Sequence, residues 1–287
     1  MRDLTGFLTS DFWRDHARGA AYCCWGFLAF VAFTAFNFPY TQALSAAVAP
    51  LGMKASWSGE RFKLPVGVEI QNLRLTNLSN PGAPPAFESE SMGIAPTLSA
   101  ILLGRPAIHL RASLYGGDIE ATLRGTTRGI SAVFDTRNLS LARYRGLAAW
   151  GFALNGEVSA SGAVSAANGL VDTIDGRIDL HGKSVTVRPG FGLPDFAFTN
   201  LEGNATMVGG VVTIDSFHGS GADGSIDLSG TIRLASELRT SMLNLALRIE
   251  PSPEGSARLG FLMRLLPRPP GVQPYRVGGS MAQPIFS

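Results

Sequence analysis

Gly176-Arg-Ile-Asp-Leu-His-Gly182 is the stretch that decides the fold, because three other stretches share its form. They are Gly156-Glu-Val-Ser-Ala-Ser-Gly162, Gly203-Asn-Ala-Thr-Met-Val-Gly209 and Gly224-Ser-Ile-Asp-Leu-Ser-Gly230. Each has a glycine at both ends and two apolar residues that alternate with three others, all polar except Val208. Alternation with a period of two is typical of a strand with one face on a core. Four such strands predict one long, curved antiparallel sheet in which glycine eases the bends.

The same alternation is present on the N-terminal side of these repeats, from Lys54 onward. Its apolar positions are Val66, Val68 and Ile70, followed out of phase by Leu73 and Leu75. A bulge near Gln71 and Asn72 would produce this change of phase. The next nine letters, NLSNPGAPP at 77–85, are turn residues and predict a loop.

A hairpin is predicted further along, since two alternating runs flank a pair of glycines. The runs are Ile108, Leu110, Ala112 and Leu114, then Ile119, Ala121 and Leu123. We expect the turn at Gly116-Gly117. A last strand is expected around Tyr275 to Val277.

Two short helices are predicted to cap the sheet. The first begins at Pro96 and ends at Gly104 and Pro106, with an apolar face of Leu98, Ile101 and Leu102. Ser252 caps the second helix and Pro253 opens it. It ends at Pro267, and its apolar face consists of Leu259, Leu262, Met263 and Leu266.

Residues 19–38, GAAYCCWGFLAFVAFTAFNF, carry no charge and predict one transmembrane helix. Arg2, Arg14 and Arg18 precede this segment and the next basic residue is Lys54, so the positive-inside rule places the N-terminus in the cytoplasm. A cleaved signal peptide is the alternative, although its apolar core usually has only about 7 to 15 residues. The predicted organisation is a cytoplasmic tail (1–18), the membrane helix (19–38), a stalk (39–53) and one β domain (54–287).

Composition excludes several classes of function. The formal net charge is only +2 and the basic residues are scattered, which argues against nucleic acid as a partner. The two cysteines, Cys23 and Cys24, both lie in the apolar segment. Disulfide scaffolds, zinc sites built on cysteine and thiol catalysis are therefore excluded from the β domain.

No chemical motif withstands inspection of its spacing. Gly219, Gly221 and Gly224 satisfy G-x-G-x-x-G, but the strand-like SIDLSGTIRL follows, so they predict a hairpin turn. Lys183 and Ser184 after Gly182 nearly complete a phosphate loop, yet the alternation continues beyond them. The four histidines are dispersed, and no G-x-S-x-G occurs. We predict a protein that is not an enzyme and has no cofactor or metal site.

The order of several stretches resembles the type II secretion system protein N family. They are the apolar helix ending at Phe38-Pro39, LPVGVEIQNLRLTN (64–77), IAPTLSAILLGRP (94–106), ASLYGGDIEATLRG (112–125) and YRVGGSMAQP (275–284). The chain is also similar to the broader AsmA-like group, whose members share a curved β groove and are connected with lipid transport. The N-terminal MRDLTGFLTSDFWRDHARG departs from the family and supplies a cytoplasmic tail of mixed charge.

The resemblance implies an inner-membrane, periplasm-facing accessory component that binds other inner-membrane parts of the type II secretion machine. The alternative that it implies is a lipid-binding or lipid-transfer protein, with lipid in the groove. The family supplies no catalytic residues. Positions that match its pattern are expected to shape turns and close strand packing. They are Leu64, Pro65, Gly67, Tyr115, Gly116, Gly117, Gly278, Gly279 and Pro284.

Overall fold

The chain is mainly β, and its strands form one antiparallel sheet of 15 strands that is open and curved. The computed structural model describes residues 53–63, 67–78, 84–97, 107–126, 129–144, 152–167, 171–189, 195–235, 240–257 and 273–287, with isolated positions 22, 25, 26, 29, 33, 42, 44, 45, 82 and 260. The predicted sheet is therefore confirmed.

The strands follow one another across the sheet almost in chain order. They are β1 (Met53–Ser56), β2 (Gly59–Phe62), β3 (Val68–Asn77), β4 (Phe87–Pro96), β5 (Ala107–Leu114), β6 (Gly117–Thr126), β7 (Gly129–Ser140), β8 (Phe152–Ala167), β9 (Ile174–Pro189), β10 (Phe196–Val208), β11 (Val211–Gly221), β12 (Gly224–Arg233), β13 (Met242–Pro251), β14 (Tyr275–Ser280) and β15 (Gln283–Phe286). From β3 to β15 each strand pairs with the next, while β1 and β2 both pair with β3. The sheet is a meander.

One side of the sheet, which we call the apolar face, carries apolar residues from β3 to β14. A row of Cα partners across it consists of Ile70, Met92, Ala112, Ile119, Thr136, Ala160, Leu180, Gly203, Phe217, Leu228, Leu247 and Tyr275. All members except Thr136 are apolar or glycine. The opposite side, the polar face, carries cross-strand ion pairs such as Arg111 with Glu120 at 2.6 Å.

The core is densest at the β3 end of the apolar face. Val68, Ile70, Leu73 and Ile94 form one buried cluster there. Leu44, a helical residue from the predicted stalk, packs against this cluster. The phase change predicted in β3 is confirmed, because burial passes from Ile70 to Leu73. Asn72 produces it with a φ of 50°, yet the register with β4 does not shift.

The glycine repeats lie where the pattern predicts them, in β8, β9, β10 and β12. Glycine does ease a bend at Gly156, whose φ is 116° and where the β8–β9 register shifts between Asn155 and Glu157. The sequence loses its apolar–polar alternation at 138–151, NLSLARYRGLAAWG, but this stretch does not divide the sheet, since β7 and β8 pair with each other. The chain forms a short 3-10 helix, Leu141–Arg143, after β7.

The β5–β6 hairpin is confirmed, but its turn lies one residue earlier than predicted. Tyr115 and Gly116 form the turn with φ values of 50° and 79°, and Gly117 begins β6. Two central residues with positive φ match the twist of the flanking strands. Tyrosine at the first of these positions is unusual, so the pair of glycines misled the prediction.

The helix predicted to begin at Pro96 is wrong at its first residue, because Pro96 ends β4 and pairs with Ile108. The amide of Thr97 donates to the carbonyl of Ala107, so the neighbouring Pro96 needs no donor toward β5. Its predicted apolar face lies outside the described residues.

The start of the second helix is confirmed. The amide of Gly255 donates to Oγ of Ser252 at 2.9 Å, and residues 253–257 are helical. The apolar residues predicted for this helix lie outside the described part. The single strand predicted around Tyr275 to Val277 is instead a hairpin, in which β14 pairs with β15.

The predicted membrane helix, residues 19–38, falls almost wholly outside the described residues. Those described, Tyr22, Trp25, Gly26, Ala29 and Phe33, are helical and exposed. Among the positions that the structure describes, no helix has the length and apolar character needed to cross a membrane.

Candidate functional site: the apolar face and the Tyr115 cleft

The apolar face is less well covered in its middle than at its first strands. Ile70 and Leu73 in β3 are 0% and 1% exposed. Their counterparts on the same face in β9 and β12, Leu180 and Leu228, are only half-buried. The described residues therefore leave apolar surface accessible along the middle strands, which is typical of a surface that contacts a ligand or a partner.

Aromatic rings occupy the space that glycine leaves on this face. A Cβ built on Gly203 would lie 2.7 Å from Cδ2 of Phe217, its partner on β11. A Cβ on Gly162 would lie 3.0 Å from Cζ of Phe134 on β7. The rings thus cover bare backbone on the adjacent strand, an arrangement that stabilises strand glycines.

A cleft of about 460 Å³ opens beside the β3 end of the apolar face. We call it the Tyr115 cleft. Its lining combines apolar, amide, hydroxyl and charged side chains: Asn72, Leu73, Arg74, Glu88, Ser89, Glu90, Tyr115, Ala142 and Arg143. β3, β4, the β5–β6 turn and the 3-10 helix each supply part of this lining. The cleft thus depends on contacts between elements that are distant in sequence.

Tyr115 is fixed in the cleft from two sides. Its hydroxyl accepts a hydrogen bond from the amide of Glu88 at 2.9 Å. Its ring meets that of Tyr144 edge to face, with centroids 5.4 Å apart. Burial is the main cause that raises the pKa of Tyr115 above its ordinary value, so the phenol is neutral at physiological pH.

Gly116 makes room for Arg143. A Cβ on Gly116 would lie 3.2 Å from the guanidinium of Arg143, so this cation lies against bare backbone. Nη1 of Arg143 is 3.6 Å from Oε1 of Glu90. Nε of Arg74 is 3.2 Å from Oε1 of Glu88. Two ion pairs therefore line one cleft.

A second cleft, of about 500 Å³, lies on the polar face. Its charges are paired with one another: Lys63 with Glu69 at 3.8 Å, and Arg111 with Glu120 at 2.6 Å. A hydrogen bond from Arg137 to Asp135 raises the pKa of that guanidinium. No group of three or more potential metal ligands occurs among the residues described.

The residues singled out by the family pattern do not form one site. Tyr115, Gly116 and Gly117 lie at the cleft, and a Cβ on Gly117 would overlap the carbonyl oxygen of Arg137. Gly67 packs closely on β4, because a Cβ built on it would lie 2.9 Å from the carbonyl oxygen of Ile94.

The remaining matching positions lie far from the cleft or outside the described residues. Gly278, Gly279 and Pro284 belong to the β14–β15 hairpin, at the other end of the sheet. Gly279 has a φ of 83°, whereas a Cβ on Gly278 would meet nothing closer than 3.9 Å. Leu64 and Pro65 lie outside the described part.

Sequence reasoning missed the charged residues of the cleft. Arg74, Glu88, Glu90 and Arg143 sit on strands and a 3-10 helix without forming a recognisable motif. Only the pairing of β3 with β4, which places Arg74 opposite Glu88, brings the first two together. The sequence carries no local signal of this pairing.

Comparison with known proteins identifies no relative of this chain that would assign a function to the apolar face or the Tyr115 cleft. No protein family model matches the chain. Neither a curated protein nor a solved structure matches it. The class that the fold defines is an open antiparallel β scaffold with one apolar face.

Proposed function

We propose that this protein is a non-enzymatic accessory component of the type II protein secretion system, anchored in the inner membrane with its β domain in the periplasm. The sequence stretches between Phe38 and Pro284 that resemble the type II secretion system protein N family, and their order along the chain, support this proposal. The half-buried apolar face carries the proposal in structural terms, because it offers a long surface for other inner-membrane components. The uncharged segment 19–38 and the preceding arginines support the orientation.

Photo-crosslinking from neighbouring positions tests this proposal. Leu228 lies on the apolar face, and Asp227 lies beside it on the polar face, where it contacts His218 at 2.7 Å. A photoreactive amino acid at position 228 is expected to capture a secretion component in living cells. The same amino acid at position 227 is the control and is expected to capture none.

A deletion strain provides the second arm. We expect it to secrete fewer exoproteins, and expect the wild-type gene to restore secretion. Normal secretion in the deletion strain, together with equal crosslinking from positions 227 and 228, would overturn the proposal. Genes for secretion components beside this one would support it further.

Lipid binding on the apolar face is the second candidate function, as in the AsmA-like group. The observation that favours it is the accessible apolar surface of the middle strands. The full chain, purified in detergent, is expected to retain lipid that mass spectrometry can identify. Leu228→Glu should remove this lipid and Asp227→Asn should not. A preparation without lipid, or equal loss from both variants, would count against this function.

A further inference from the structure

The Tyr115 cleft balances its charges on a small surface. Arg74 with Glu88, and Arg143 with Glu90, place two cations and two carboxylates around one opening. A purely anionic ligand would meet both carboxylates, and a purely cationic ligand would meet both guanidinium groups. The lining is complementary to a ligand that carries one charge of each sign.

The two ion pairs leave both arginines and Glu90 accessible, while the side chain of Glu88 is 28% exposed. The side chains of Arg74 and Arg143 are 63% and 60% exposed, and that of Glu90 is 74% exposed. The ion-pair contacts are made by Nε of Arg74 at 3.2 Å and Nη1 of Arg143 at 3.6 Å, whereas a guanidinium has five N–H donors in a fork that matches phosphate. A phosphate can therefore bind both arginines without first breaking a buried pair.

The cleft also holds a neutral donor in a fixed place. Because the hydroxyl of Tyr115 accepts from the amide of Glu88, its own hydrogen is available for donation to a ligand oxygen. The edge-to-face contact with Tyr144 holds the ring. A donor held in advance costs less entropy on binding.

The lining of the cleft is mainly polar. Leu73 is part of this lining, but it belongs to the buried cluster with Ile70 and is only 1% exposed. Leu73 therefore offers a ligand almost no apolar surface. The charged groups and the hydroxyl of Tyr115 are what the cleft presents to a ligand.

We propose that the Tyr115 cleft binds a phosphate joined to a primary ammonium, as in a phosphoethanolamine head group. The phosphate contacts Arg74, Arg143 and the hydroxyl of Tyr115. The ammonium lies between the carboxylates of Glu88 and Glu90. The contribution of an attached acyl chain rests on the second candidate function, whereas recognition of the head group does not.

Calorimetry on the full chain in detergent tests the head group alone. Both probes carry a phosphate, but only glycerophosphoethanolamine carries an ammonium, since glycerophosphoglycerol has a glycerol in its place. Glycerophosphoethanolamine should therefore bind at least about fivefold more tightly. Arg143→Gln should lower the affinity for glycerophosphoethanolamine about tenfold, and Arg74→Gln should lower it by a similar factor. Glu90→Gln should remove the preference between the two probes.

Arg177→Gln is the matched control, because Arg177 is also an exposed, ion-paired arginine, 3.4 Å from Asp179 on the polar face. It should leave binding unchanged. Equal affinity for the two probes, no binding of either at millimolar concentration, or the same loss from Arg177→Gln would overturn the proposal. Circular dichroism of each variant shows whether the fold is kept.

Short-chain lipids separate this inference from the proposed lipid function. Dihexanoyl lipids with either head group that bind equally well, while the free head groups do not bind, would overturn the inference and leave lipid binding in place. Glycerophosphoethanolamine that binds with no gain from acyl chains would support the cleft and count against lipid on the apolar face.

Discussion

At the scale of single residues, the contacts between rings and glycines explain how a sheet so rich in glycine keeps a continuous apolar face. Glycine weakens a strand because it has no side chain to pack. Phe217 over Gly203 and Phe134 over Gly162 restore this packing from the adjacent strand. The glycines of the repeats therefore serve packing as well as bending.

Gly203→Ala should destabilise the domain by about 1 to 3 kcal/mol, because the new methyl group would displace the ring of Phe217. Thermal unfolding followed by circular dichroism measures this change. Gly278→Ala is the control, since its Cβ would lie 3.9 Å from the nearest atom, the carbonyl oxygen of Leu243. Equal melting temperatures of the two variants would contradict this account.

We expect the buried phenol of Tyr275 to lower the stability of the domain at alkaline pH. It is 1% exposed, and burial raises its pKa above the ordinary value of 10.0. The folded state therefore favours the neutral phenol, so its contribution is complete below about pH 10 and declines as pH rises toward the higher folded pKa. Tyr275→Phe should flatten the fall in melting temperature above pH 10. An unchanged alkaline slope would exclude Tyr275 as its source.

At the scale of elements, β15 ends the sheet with a protected edge. The backbone groups of Arg276 and Ser287 exchange two hydrogen bonds of 3.0 Å, so by alternation Pro284 turns its nitrogen away from β14. A proline there removes a donor that another strand could use. The edge is thus a poor template for further pairing.

Pro284→Val should increase self-association, because valine restores the outward amide and favours extended backbone. Analytical ultracentrifugation over a range of concentrations measures the effect. Gln283→Val is the control, since the amide of Gln283 already faces Oγ of Ser280 at 3.2 Å. Two monomeric variants would show that the proline is not what protects this edge.

The sheet and the strands of the glycine repeats could be predicted from the sequence, whereas β15, several element boundaries and the cleft could not. The alternation of Ile178 and Leu180 with polar residues fixes both the strand and its face. Pro96 misled the prediction because its fixed φ suits a helix start and a strand end equally well. The cleft escaped detection because it depends on register, which sets Arg74 against Glu88 across a loop.

At the scale of the whole molecule, strand length and pairing vary along the sheet. β8 and β9 have 16 residues each and pair along most of their length, whereas β1, β2 and β15 at the two edges have four. A sheet held mainly by contacts between successive strands has no single centre. Its stability should therefore differ from place to place.

Hydrogen exchange should reveal this gradient. Amides of β8 and β9 that face a paired strand should exchange most slowly, and those of β1, β2 and β15 most rapidly. Gly203→Ala should accelerate exchange in β10 and β11 more than in β3 and β4. Uniform protection across the sheet, or uniform acceleration by the variant, would show that the domain opens only as a unit.

The meander has a consequence for how such a chain can arise and grow. Because almost every strand lies beside its neighbour in sequence, each new hairpin can join a ladder that already exists, without threading through the rest of the molecule. Strands can then be added to the sheet one after another from the N-terminal side while the chain is still being synthesised. Duplication of one hairpin would lengthen the array by a pair of strands and leave the others in place, so evolution can tune its span in small steps.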